Sequence, residues 1–171
     1  MLRETPMKPT RNAPSSLTST VAVSSKEGAV MATSLNALTQ ASVMLASSYK
    51  HFHWTVAGPH FAPLHALYDT HAALIAVHVD DLAERIIQLG GVPMALPGEV
   101  AAKSPLKAPE SGVVAWRAQL AWLDAAHVAV IRHLTEAIAD ATDPGVADLL
   151  TRVVQDHQKM AWMIRASAHG A

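Results

Sequence analysis

Between Gly58-Pro59 and Gly90-Gly91 lies a segment whose apolar residues, Leu64, Leu67, Leu74, Ile75, Leu82, Ile86 and Leu89, recur with a helical period. Glycine and proline punctuate both ends, so the segment reads as one long helix from about Ala62 to Leu89. On that helix His65 and Asp69 are four residues apart, and so are Asp80 and Glu84, so each pair projects from one side. Asp69 and Asp80 are separated by eleven residues, close to three whole turns, and all four side chains share one face. At the helical rise the two pairs nevertheless stand roughly 16 Å apart, too far for one metal ion. If they cooperate, a second copy of the helix must run antiparallel, setting Asp80 and Glu84 of one chain against His65 and Asp69 of the other. A two-fold dimer supplies that arrangement. The spacing points to a metal site shared between subunits.

The rest of the chain reads as helices. Thr33 or Ser34 is placed to cap a first helix that continues through Leu38, Val43, Leu45, Tyr49 and Trp54 to about Val56. After Gly91 comes a long connection, from Val92 to about Ser111, with four prolines and room for a short helix of its own. A third helix is expected from about Gly112 to Ala141. Asp143-Pro144-Gly145 then makes a turn, with Asp143 as N-cap of a fourth helix that runs to about Ser167. The fold class is all-α: a ferritin-like four-helix bundle with a long crossover between helices two and three. Residues 1–30 read as a disordered, mildly basic tail and residues 31–171 as the folded domain. The tail is either an arm that touches DNA phosphates or a solvated extension.

Composition removes other classes. The chain has no cysteine, which excludes disulfides, thiolate metal sites and thiol catalysis. Its formal charge of −1 argues against a globally basic nucleic-acid binder. No apolar run is expected to approach the roughly 18 residues of a membrane span, and no secretory signal is evident at the N-terminus. A cytoplasmic location is expected.

Imidazole with carboxylate suits a divalent first-row metal, and a carboxylate-rich set favours a hard ion such as iron. His53, at the end of the first helix, adds an imidazole if the hairpin brings it beside His65. No Glu-x-x-His motif of the ordinary in-bundle di-iron kind is present. The nearest match, Asp124-Ala-Ala-His127, reads as a surface pair. His71 and His78 lie off the acidic stripe and read as packing or surface residues.

These residues resemble the signature of the Dps family, the DNA-binding proteins from starved cells: His53-Trp54, Gly58-Pro59-x-Phe61, Leu64-His65, Asp69, and Asp80-x-Leu82-Ala83-Glu84-Arg85. Gln88-Leu89-Gly90-Gly91, Ser104-Pro105-Leu106-Lys107 and Ala147-Asp148-Leu149-Leu150 extend the match. The resemblance implies a hollow homododecamer with a ferroxidase site at each two-fold interface. His53, His65 and Asp69 of one subunit would act there with Asp80 and Glu84 of its neighbour. It implies oxidation of Fe2+ by hydrogen peroxide, ferric mineral stored inside, and protection of DNA from oxidative damage. Asp148 and Asp143 would line an acidic three-fold pore. A shell whose site holds zinc in place of iron, as a structural ion, is a further reading. A nucleoid-compacting protein with a vestigial or structural metal site is the alternative, with DNA held through the N-terminal tail.

Overall fold

The computed structural model describes residues 19–169. Helix α1 spans Ser25–Thr55, α2 Phe61–Gln88, α3 Pro97–Lys103, α4 Trp116–Asp140 and α5 Pro144–Ala168. No strand occurs among the described residues. The α1–α2 and α4–α5 hairpins are the two main packing units, joined by α1 against α4 and α2 against α5. The four long helices form the bundle, and the short α3 sits in the crossover between the second and third of them. That is the expected architecture.

The first helix starts earlier than expected. Ser24 and Glu27 form a capping box: the Ser24 hydroxyl accepts from Glu27 N–H, and the Glu27 carboxylate accepts from Ser24 N–H. Thr33 lies inside the helix instead of capping it, and its hydroxyl donates to the Ala29 carbonyl. Residues 25–30, assigned to the tail from sequence, are therefore helical, and the segment before them is docked. Thr20 N–H donates to the Gln88 carbonyl at 2.8 Å, and Val21 and Val23 pack on the core. Gly28 permits this approach, since a Cβ there would stand 2.8 Å from the Leu89 carbonyl oxygen. Residues 1–18, where most of the expected tail falls, lie outside the described residues.

A second boundary moved for a conformational reason. Gly112 has φ +106°, which no helix interior accommodates, so α4 begins at Trp116 and not at Gly112. The crossover is held to α1 by side chains. Asn36 donates to the Val92 carbonyl at 3.0 Å and accepts from Met94 N–H at 2.7 Å, and Gln40 donates to the Met94 carbonyl. Asp143 caps α5 as expected, accepting from Val146 N–H at 2.8 Å with Pro144 at the first helical position.

The core runs along the bundle axis. Leu45, Tyr49, Tyr68, Leu82, Leu123, Leu134 and Leu150 are all fully buried. By length and composition α1 could cross a membrane, contrary to the expectation that no run comes close. Its apolar face is filled by the bundle: Leu35, Leu38, Leu45 and Phe52 are at most 2% exposed.

Candidate metal centre

The turn after α1 reverses the chain through Gly58, at φ +99°, and brings the end of α1 beside the start of α2. His53 and His65 meet there. Their rings stack with centroids 3.7 Å apart and planes 21° from parallel. His53 Nδ1 lies 2.8 Å from the backbone carbonyl of His65, and His65 Nδ1 lies 2.9 Å from the carbonyl of His53. A carbonyl only accepts, so both Nδ1 atoms carry the proton. In the neutral rings both Nε2 atoms therefore keep a lone pair. This is the tautomer that a metal-binding histidine uses, fixed here by its other nitrogen. Both rings are half-buried.

Asp69 lies one turn beyond His65 on α2. Its carboxylate accepts from Lys50 Nζ at 2.6 Å, and both side chains are exposed. The Lys50 hydrogen bond and charge hold the Asp69 carboxyl below its ordinary range, with smaller help from His53 and His65. Lys50 was not anticipated from sequence, because only the hairpin places it opposite Asp69. Trp54, 70% exposed, opens with Ala46, Ala73 and Ala76 onto the same shallow groove on the outer face of α1 and α2.

Asp80 and Glu84 lie on the same helix, three turns and more beyond Asp69. Both are exposed, and neither makes an ion pair among the described residues. Within one chain the described residues gather no group of three or more His, Asp or Glu into a metal-holding arrangement. One subunit thus brings His53 and His65 together, holds Asp69 one turn further along α2 on Lys50, and leaves Asp80 and Glu84 apart.

Of the two carboxylates expected at a pore, Asp148 is exposed and faces Arg152 at 3.5 Å. Asp143 departs from that expectation. It is 8% exposed, caps α5 and pairs with Arg85 of α2, so it is engaged within the chain.

The structure makes His71 and His78 packing residues, one of the two readings left open from sequence, and overturns the surface reading of His127. His71 and His78 are 2% and 4% exposed, and His127 is fully buried together with His157. Asp124 turns away from His127 and pairs with Arg165 at 2.7 Å. The missed signal is register. Leu64, Tyr68, His71, Ile75, His78 and Leu82 alternate at four- and three-residue steps, so both histidines occupy core positions of α2. His127 holds the same place between Leu123 and Val130 on α4. Burial pushes the His71 pKa down to about 4 and that of His127 to about 3, and it lowers His157 well below the ordinary value.

The chain matches the ferritin-like domain family over residues 32–169. It is 33% identical over 144 residues to DNA protection during starvation protein 1 of Deinococcus radiodurans, covering 82% of this chain and 70% of that one. It is 33% identical over 125 residues to the DNA protection during starvation protein of Agrobacterium fabrum, covering 71% and 77%. Among solved structures, Dps from Mycobacterium smegmatis superposes with a TM-score of 0.85 at 28% identity, over 90% of this chain and 94% of that one. A Dps homologue of Halobacterium salinarum shares the fold, with a TM-score of 0.88 at 24% identity, over 96% and 94%. A ferritin-like bundle carrying this histidine hairpin, with relatives of this kind across most of its length, belongs to the Dps family.

Proposed function

We propose that this protein is a mini-ferritin that oxidises Fe2+ with hydrogen peroxide, or with O2, and stores the ferric product in a hollow shell of twelve copies. The reading is carried by one observation: two histidine rings locked so that both Nε2 lone pairs stand free beside an ionised Asp69. Asp80 and Glu84 share that face of α2, about 16 Å along the axis. A second copy running antiparallel across the groove would bring its Asp80 and Glu84 to this subunit's His53, His65 and Asp69. Iron is the substrate there. The imidazoles bind it as neutral ligands, and the carboxylates offset its charge. Lys50 pairs with the Asp69 carboxylate until the cation arrives and then has to yield. Two ferrous ions supply the two electrons that convert one peroxide and two protons to two waters. Asp148, exposed near the start of α5, is the better candidate for a pore lining, and zinc would occupy the same ligands as a redox-silent substitute. We place the shell in the cytoplasm.

The deciding experiment is anaerobic Fe2+ oxidation on adding peroxide, comparing the parent with a His65→Ala/Asp69→Ala double variant of confirmed assembly size. Fast oxidation that the variant loses while its assembly persists supports the shared site. Equally slow oxidation by both defeats it. The relatives are named for DNA protection, and the second activity we propose is binding to DNA, for which the cationic residues of the first 30 positions are the candidates. Deleting residues 1–18 and measuring DNA retardation across a salt series tests it separately from iron oxidation.

A further inference from the structure

The bundle interior holds a hydrogen-bonded chain of rings that the outer-face site does not use. Tyr49 of α1 is fully buried, and its hydroxyl stands 2.6 Å from Nε2 of His127 on α4 and 3.0 Å from Nδ1 of His71 on α2. On its other side His127 places Nδ1 3.0 Å from Nδ1 of His157 on α5. Their ring centroids are 5.1 Å apart, and His78 follows at 5.5 Å from His157. His78 Nε2 donates to Asp156, whose side chain is 41% exposed. Among the described residues no hydrogen bond joins His78 to His157, so the hydrogen-bonded chain itself ends at His157.

The two distances at Tyr49 orient it. The shorter suits an O–H donated to a nitrogen, and the longer an N–H donated to the phenolic oxygen. Tyr49 then donates to His127 and accepts from His71. His127, accepting at Nε2, holds its proton at Nδ1 and donates it to Nδ1 of His157. The bonds run one way, from α2 through Tyr49 towards α5. Burial keeps His127 and His157 neutral and makes them weaker bases than an ordinary imidazole. Each retains a lone pair, and the phenol of an oxidised tyrosine is acidic enough to protonate a weak base. Tyr68 provides the contrast. Its ring centroid is 5.9 Å from that of Tyr49, it is equally buried, and its hydroxyl has no hydrogen-bond partner among the described residues. A phenol oxidised by one electron must shed its proton, and Tyr68 has no base to receive it.

We propose that Tyr49 is a redox-active tyrosine, a one-electron donor whose phenolic proton is taken by the His127–His157 pair. The electron goes to an oxidant of the hydroxyl-radical class, formed when peroxide meets a single ferrous ion. The phenolic proton moves to His127 Nε2, and the His127 Nδ1 proton moves to His157 Nδ1. A neutral tyrosyl radical and an imidazolium at His157 result, while the hydroxyl radical, the electron and a solvent proton become water. A ferrous ion then returns an electron to the radical, and the proton travels back from His157. In sum, one hydroxyl radical, one Fe2+ and one proton yield water and Fe3+. The imidazolium is one ring removed from the Asp156 carboxylate, which offsets its charge. Tyr49 lies one helical turn before His53, about 6 Å along α1, so the electron has a short way to go. Only the source of the oxidant rests on the iron-and-peroxide reading above.

The test therefore starts without iron. The full-length, metal-free assembly is oxidised by photo-excited ruthenium tris(bipyridine) with persulfate, and the radical is followed by electron paramagnetic resonance. A tyrosyl signal is expected in the parent and in Tyr68→Phe, and its loss in Tyr49→Phe. His127→Gln keeps a hydrogen-bonding group but no base, and should slow radical formation about 100-fold. In the parent alone, deuterated solvent should slow formation, a readout that needs no variant to fold. A signal that survives Tyr49→Phe, an unchanged rate in His127→Gln, or the absence of an isotope effect each overturns the proposal. A Tyr49 radical by this route, in a protein that oxidises no Fe2+ with peroxide, would sink the iron reading and leave the Tyr49 assignment standing.

Discussion

Arg85 of α2 donates to the carboxylate of Asp143, the residue that caps α5, so one ion pair ties a helix end to the opposite hairpin. Both side chains are largely buried, at 16% and 11% exposure. Asp143→Ala removes the cap and strands the guanidinium, and should cost on the order of 3 kcal/mol. Asp143→Asn keeps a capping oxygen and should cost clearly less. Urea unfolding of the assembled variants checks this. Equal losses would mean that the charge, not the cap, dominates.

Lys50 governs the pH range in which Asp69 is ready for a cation. Its ammonium lowers the Asp69 pKa, so the carboxylate stays ionised to lower pH than an ordinary aspartate. In Lys50→Met that pKa rises only towards the ordinary 3.8. Near pH 7 Asp69 is ionised in both proteins, and Fe2+ binding should tighten because no ammonium competes. At pH 5 Asp69 is still mostly ionised, and binding should tighten there as well. Calorimetric titration with Fe2+ under anaerobic conditions distinguishes this from a merely structural lysine, which would weaken binding at both pH values.

The buried histidines should make the fold acid-sensitive. Folded His71 and His127 take up protons only near pH 4 and pH 3, while the unfolded chain does so near pH 6.5. Between those values the unfolded state holds more protons, so stability falls as pH falls. The slope approaches about 1.4 kcal/mol per pH unit for each histidine, or on the order of 2 kcal/mol each by pH 5. Urea midpoints at pH 7.5 and pH 5 measure the loss. His71→Phe should flatten the dependence, and an unchanged slope would remove His71 from the account.

Asn36 pins the crossover to α1 with two hydrogen bonds, to the Val92 carbonyl and from Met94 N–H. Asn36→Ala should cost about 1–2 kcal/mol. It should also speed amide exchange at Met94 before it affects the bundle core. Hydrogen exchange resolved by residue checks the order.

The helices, the turn at Gly58-Pro59 and the Asp143 cap were legible because apolar period and punctuation act locally. The start of α1 was not. Ser24-x-x-Glu27 is a capping signature, but it sits in a Ser/Thr-rich run that offers many other residues of the capping type. The His65/Asp69 and Asp80/Glu84 spacing was likewise readable, since helix geometry fixes it. What spacing could not supply is the reciprocal locking of His53 with His65, or Lys50 opposite Asp69, because both depend on the hairpin's register. His127 was misread for a simpler reason. It was paired with Asp124 at the surface, whereas it occupies a core position of α4; His71 and His78, left between packing and surface, occupy core positions of α2.

His53 and His65 each bind the other's backbone, so each ring is fixed by its own bond across the hairpin and neither can swing without breaking it. The two behave as one chelating arm whose bite is set by the loop between them. A cation gripped by both rings would therefore act as a clasp on the open end of the α1–α2 hairpin, suppressing local opening there by the free energy of its binding. Metal occupancy could then be read far from any absorbance band, in the slowed amide exchange of the residues flanking Gly58.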